Sequence, residues 1–473
     1  MIFSQELIVT GLVMVVSLFT ALGVWYSGRH RSTAEDFITA RGTTDTGMLF
    51  STFLASFLGV FILFTPPEAG AIGGLSSIVG YSMGLAGLYL ILMEVGPRIR
   101  DYLPEGSTLT DYARQRYGPW MQRLTVGLAI FYMLVHLVAE LTAIALVMKE
   151  AAGVPLLTTA LIVGIGTMIY TAYGGLRASM FTDMIQMGLM GVFLLIVGVG
   201  TIHALGGIGQ MTQVSRGGAP QLFRLHNAVG IEFGLTLCIA VMVANLFHQG
   251  YWQRMYAARN TVAIRRSLKI SIGAAVPVML FTGYLGITAV GMGFSENPST
   301  ALFSLVYALF PPSMLLVVLL LALVLVMSTV DTLLNALAAT FALGTRDRHQ
   351  AAGSEKASLM KKARWATFIM VLPLALIAAR GYSVLYLFLL ADMLCAGVAF
   401  PLFSGLYNSK ISEKTALAAA MVGIATGVPF FLANRMLISF IVPLVTSAMV
   451  VFGGILLEKR STEAPDYKGG EKA

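Results

Sequence analysis

The stretch YGGLRASMFTDMIQ, residues 173–186, separates two apolar runs, 154–173 and 181–204, with Gly174, Gly175 and Arg177 at the join. Each run is about 20 residues long, the length that crosses a ~30 Å hydrocarbon layer as a helix. The second run then takes in Asp183. An acid at the centre of such a helix costs roughly 2.5–3.5 kcal/mol on insertion scales, so one found there is a candidate for a task.

Working outward, apolar runs of this length recur along all 473 residues. Charged residues make up 11% of the chain and mean hydropathy is +0.80, against about 25% charged in a soluble domain. Thirteen spans are expected, near 7–27, 47–67, 72–95, 124–148, 154–173, 181–204, 231–252, 270–292, 313–343, 366–380, 382–407, 415–433 and 436–457. The first lacks the short apolar core and small-residue cleavage pattern of a signal peptide, and is expected as a retained helix. The fold class that follows is an all-α integral membrane protein. It is read as one polytopic unit over 1–457, with a polar cytoplasmic tail at 458–473.

The net charge of +8 invites a nucleic-acid partner, but its distribution argues otherwise. With the N-terminus outside, the inner segments carry 26 of the 31 basic residues. That asymmetry is what orientation in a bilayer requires, so no nucleic-acid binding is expected. Cys238 and Cys395 both fall inside spans and the histidines do not cluster, so neither a disulfide nor a structural metal is expected. No nucleophile–base pair is visible either, and no enzyme is expected.

The spans divide into five (47–205) and five (231–407), with one before and two after. That count suits an inverted-repeat transporter, in which the first helix of each unit is broken near the membrane middle. In the first unit ASFLGVFILFTPPEAG, residues 55–70, contains Gly59, Pro66 and Pro67. Proline removes an amide donor and leaves backbone carbonyls available. The corresponding segment of the second unit has only Gly234 and Gly250. Ordinary kinks explain both segments equally well, since Gly and Pro are common in membrane helices.

Acids at Glu68, Glu94, Glu140, Asp183, Asp331 and Asp392 lie in or against the spans. Glu68 and Glu94 sit near span ends, where a carboxylate reaches water. Glu140, Asp331 and Asp392 are deep. In LVLVMSTVDTLLNALAAT, residues 323–340, Leu325, Ser328, Thr329 and Thr332 fall on one helical face, with Asp331 flanking it. Hydroxyls beside free carbonyls suit a hard monovalent cation. Hydroxyls that bond back to the preceding turn or bridge helices explain the same pattern.

The 173–186 stretch resembles the signature of the sodium/solute symporter family, to which sodium/proline and sodium/galactose symporters belong. AEDFITARG (34–42), TLTDYARQRYGP (108–119), HQGYWQRMYAARN (248–260) and GLYNSK (405–410) resemble further family segments, in order along the chain. The resemblance implies a LeuT-like fold of two inverted five-helix repeats. Matched motif to motif, ASFLGVF (55–61) implies sodium ligation by the carbonyls of Ala55 and Leu58. MSTVDTLLN (327–335) implies ligation by the Leu325 carbonyl and the Ser328 and Thr329 hydroxyls. A second cation site in some members corresponds to Asp183 and Thr332. Asp331 stands where many members have Ser or Ala, so a sodium ligand, a proton carrier and a tuning charge all remain open for it.

The same correspondence places substrate beside Phe57, Gly59, Ile62, Glu140, Val241 and Ala244. The polar residues that galactose carriers use are missing, which disfavours a sugar. An arginine clamp for an acidic solute is also absent from the helix holding Glu140 and His136. His248 is expected to be structural. The expected function is sodium-coupled symport of a small organic solute, an amino acid first, by alternating access. No cofactor is expected other than sodium as coupling ion, with the lipid bilayer as surroundings. A proton-coupled or monocarboxylate symporter of the same family and a transporter-like sensor are the alternatives. The expected location is a plasma or inner cell membrane, with the C-terminus cytoplasmic.

Overall fold

The computed structural model describes residues 3–29, 39–294, 296–343 and 353–457. The tail 458–473 and most of AEDFITARG lie outside the described residues. Helices account for nearly all of the rest, and ten of them are long and apolar enough to cross a membrane. Each of the thirteen expected spans overlaps helical backbone, although 47–67 and 231–252 are interrupted.

α1 (Gln5–Arg29) packs along the first half of α6 (Leu156–Ala204). The opening stretch forms no loop, since α6 runs through it and leaves helical geometry only at Gly175 (φ 62°, ψ −156°). A side chain there meets its own backbone, so glycine permits a sharp change of direction inside a continuous run. Gly74 does the same (φ 68°, ψ −151°) inside α3 (Thr65–Tyr102).

The first unit opens with α2 (Thr46–Phe57), capped by Asp45, whose carboxylate accepts from Met48 N at 2.9 Å. The ladder stops at Leu58. Gly59 N turns to Phe57 O (2.9 Å), Val60 N to the Glu140 carboxylate (2.9 Å) and Ile62 N to Gly59 O (3.2 Å). The carbonyls of Ala55, Ser56 and Leu58 thereby lose the amides that a continuous helix would bring them. A 3-10 turn (Val60–Leu63) leads into α3. Pro66 and Pro67 lie in the first turn of α3, where no intrahelical donor is lost. The break belongs to Leu58–Gly59, not to the prolines.

The second unit breaks in the corresponding place. α8 (Ala228–Ala244) passes through a 3-10 turn (Asn245–Phe247) into α9 (Gln249–Ala257). Neither Gly234 nor Gly250 makes this break. Gly234 lies against the backbone of Ser76, and Gly250 against the Thr332 methyl. Asn245 instead donates its side-chain amide to Val241 O at 3.0 Å, the kind of local bond that competes with a helical ladder.

The remaining elements are α4 (Leu109–Arg116), α5 (Pro119–Ala152), α7 (Ile208–Gly218), α10 (Thr261–Gly291), α11 (Ala301–Leu309), α12 (Pro312–Leu343), α13 (Gly353–Ala378), α14 (Val384–Ser404), α15 (Glu413–Leu432) and α16 (Met436–Leu457). α12 and α14 are the most enclosed, whereas α1 and α16 face outward. α3 approaches α8 through Gly73–Gly230 and Gly80–Gly234, and α10 through Gly70–Gly283. Small residues let the backbones touch where lipid offers no hydrophobic drive to association. Backbone bonds tie the segment entering α2 to the end of α9: Thr44 N to Ala257 O (3.0 Å), Arg259 N to Thr44 O (2.8 Å) and Gly42 N to Tyr256 O (3.2 Å).

Candidate functional site

The two helix breaks face a small cavity of about 50 Å³ between α2, α3, α5, α8, α9, α12 and α14. On the scale of one water per 10–15 Å³ of such space, a few waters fit. Of the residues matched to substrate contacts, Phe57, Glu140 and Val241 line it. Gly59 touches the site from behind, since a β-carbon on it would lie 2.2 Å from Glu140 Oε1 and 2.8 Å from Thr329 Oγ1. Glycine is therefore what lets these two side chains reach the broken backbone. Ile62 and Ala244 are fully buried off the cavity wall. The neighbouring residues Phe61 and Asn245 line the wall.

Glu140 is 1% exposed, and its Oε2 accepts from Val60 N. Its Oε1 has no partner, and neither has Asp392 Oδ1 from α14, on a residue 5% exposed. His248 (3% exposed) stacks on Tyr251, with centroids 4.4 Å apart and ring planes 18° apart. His136 Nδ1 bonds to Tyr132 O at 3.0 Å, and its ring stands 4.6 Å from that of Phe388. Both histidines line the cavity. Aromatic rings of Phe57, Phe61, Tyr81, Tyr251 and Phe388 form much of the wall. No Lys or Arg is among its lining residues.

The two segments matched to the first sodium site touch beside this cavity, through Gly59 against Thr329 and Ser56 to Thr332 at 3.1 Å. Ala55 and Leu58 sit at the break with carbonyls released from the ladder. Facing them on α12, Thr329 donates to Leu325 O at 3.2 Å and Ser328 to Asp183 Oδ1 at 2.6 Å.

Those matched to a second cation surround a fixed charge. Arg254 of α9 is fully buried and pairs with Asp183 Oδ2 at 2.7 Å. It also donates to Thr332 Oγ1 (2.8 Å), Thr52 Oγ1 (2.7 Å) and Gly250 O (3.1 Å). Arg254 counts among the 26 basic residues of the inner segments, yet it is held in the core and not at a membrane surface. Its flanks, Tyr251, Trp252, Met255 and Tyr256, were the available signal that this cation enters the core. Asp331 turns toward α6, where Ser179 (2.6 Å), Tyr170 (2.9 Å) and Thr182 (3.1 Å) donate to its carboxylate. Of the acids at the span ends, Glu94 is half exposed beside Arg98. Glu68 is buried and accepts from Ser299 at 2.5 Å.

Comparison with known proteins gives the arrangement a lineage. A spermidine transporter of Candida albicans is 26% identical over 386 residues, 80% of this chain and 71% of that protein. The sodium/pantothenate symporter of Escherichia coli is 27% identical over 436 residues, 87% of this chain and 88% of that one. The sodium/glucose cotransporter of Vibrio parahaemolyticus is 22% identical over 474 residues, 89% and 84%. In fold, a substrate-bound, outward-open sodium-coupled sialic acid symporter superposes with a TM-score of 0.78 at 14% identity, covering 96% of this chain and 98% of that one. Mhp1, a nucleobase-cation-symport-1 family transporter, gives 0.61 at 13% identity, covering 89% and 94%. These relatives are transporters and not enzymes. The sodium:solute symporter signature spans residues 37–423, taking in both broken helices and the hydroxyl-bearing α12, and the chain belongs to that family of multi-pass membrane proteins.

Proposed function

We propose that this protein is a secondary active transporter that couples sodium entry to uptake of a small organic solute by alternating access. The observation that carries the reading is the first helix break. It releases the carbonyls of Ala55 and Leu58 next to Gly59, whose backbone lies against Thr329 of α12; with the Ser328 and Thr329 hydroxyls they would form an oxygen set suited to a hard cation. With Leu325 O it makes five ligands. Asp183, Asp331 and Thr332 form the neighbouring charged cluster, with Arg254 as its cation. Residues 47–205 and 231–407 act as the two inverted repeats. The protein sits in the cell membrane with its N-terminus outside and C-terminus cytoplasmic.

The solute carries an amine. Two carboxylates and no Lys or Arg face the cavity, and one relative is named for spermidine. An amino acid, the first expectation, brings a carboxylate that finds no Lys or Arg on this wall. The test is uptake into proteoliposomes with sodium or potassium outside, at fixed pH. Across 100 mV one sodium contributes about 2.3 kcal/mol, enough for roughly fiftyfold accumulation at 1.4 kcal/mol per decade. Equal uptake in the two salts refutes sodium coupling. If a pH gradient then drives uptake, proton coupling replaces it; substrate binding without uptake makes the protein a sensor.

A further inference from the structure

We infer that the solute is a short aliphatic diamine, held with one ammonium at Glu140 and another at Asp392. The inference deepens the symporter reading and takes from it only the assumption that this cavity is the substrate site. Glu140 reaches the cavity from α5 and Asp392 from α14. Each is at least nine-tenths buried, and each has one carboxylate oxygen without a hydrogen-bond partner. An unpaired buried carboxylate is strongly unfavourable, and a matching cation relieves it. No Lys or Arg lines the cavity to supply one, and Arg254 is committed to Asp183.

The same cavity is lined by the rings of Phe57, Phe61 and Phe388, joined by Tyr81 and Tyr251. Ring faces attract ammonium groups and accept a methylene chain. A neutral solute leaves both acids unpaired, a monoamine leaves one, and a zwitterion adds a third carboxylate to two already present. A diamine answers both acids and gives its chain to the rings.

The experiment uses purified full-length protein and measures binding by calorimetry and uptake in proteoliposomes. The probes share a carbon chain: 1,4-diaminobutane, n-butylamine, 4-aminobutyrate and 1,4-butanediol, with 1,3-diaminopropane and 1,5-diaminopentane to vary the span. Expected is a diamine that binds roughly tenfold or more tighter than n-butylamine, the value of one charge-assisted hydrogen-bonded contact. The zwitterion and the diol are expected not to compete. Glu140→Gln and Asp392→Asn should each lower diamine affinity to the monoamine level, while a retained sodium-induced thermal shift shows that the variant is folded. Binding of 4-aminobutyrate or butanediol as tight as the diamine overturns the inference. So does a Glu140→Gln variant that loses sodium response but keeps diamine preference, since it makes Glu140 an ion ligand. If the diamine binds and sodium changes neither binding nor uptake, the symport reading fails and the ligand class stands. If sodium drives uptake of another solute and the diamine does not bind, the ligand class fails and symport stands.

Discussion

Replacing Arg254 by Gln removes one side of an ion pair that no solvent reaches. At 2.7 Å and an effective dielectric near 20, the Coulomb attraction is about 6 kcal/mol. Desolvation of the two ions offsets much of this. Removing one partner is different, because Asp183 then stays charged and buried with only the Ser328 and Thr52 hydroxyls as donors. The expected loss is about 3–5 kcal/mol for Arg254→Gln, and as much for Asp183→Asn, which strands the guanidinium. The double variant has no buried charge at this point and should cost at least about 2 kcal/mol less than the sum. Trp252, fully buried and stacked on Phe403 at 6.1 Å, reports local unfolding by fluorescence during a detergent-denaturant titration. Single variants that each cost under about 1 kcal/mol, or a double variant equal to the sum, refute the claim that the pair is dry and mutually dependent.

Three further outcomes are expected. Ser328→Ala and Thr329→Ala should each raise the sodium concentration for half-maximal uptake by about tenfold, one ligand of five being worth at least one charge-assisted bond; lowered maximal rate at unchanged sodium dependence marks them as packing residues. Gly59→Ala pushes a β-carbon into Glu140 Oε1 and should abolish high-affinity solute binding, measured calorimetrically, and normal binding there shows that the carboxylate swings clear without loss. With Arg254 supplying the cation beside Asp183, the sodium Hill coefficient should stay near one in wild type and in Asp331→Asn at two pH values. A wild-type coefficient near two that falls to one in Asp331→Asn restores a second ion site.

Long apolar runs made the membrane class legible, since nothing else tolerates so little charge over 473 residues. The α12 oxygen set was legible because Ser328, Thr329 and Thr332 recur at helical spacing. The first break was half legible: Gly59 was correct, but Pro66 and Pro67 drew attention to a helix start where proline is at ease. The second break was hidden, because Asn245 interrupts α8 with a side-chain bond that leaves no Gly or Pro mark. Phe61 and Asn245, which line the cavity next to Ile62 and Ala244, each stand four residues past a lining residue, Phe57 and Val241. Arg254 escaped because a basic residue near a span end usually reads as an orientation signal. Only the aromatic residues around it say that it turns inward.

The three backbone bonds joining residues 42–44 to 256–259 restrict how this molecule moves. At about 0.5–1.5 kcal/mol each, they latch the foot of the first broken helix to the foot of the second. In the alternating-access cycle proposed above, the two feet would therefore travel as one piece when the inner side opens, and neither half-helix would swing alone. The bending falls on the interrupted ladders above the latch, at Leu58–Gly59 and Asn245–His248. The first carries the released carbonyls, and residues beside both line the cavity. Opening the inner side and loosening the grip on ion and solute are then the same displacement, which makes release a mechanical consequence of the gate.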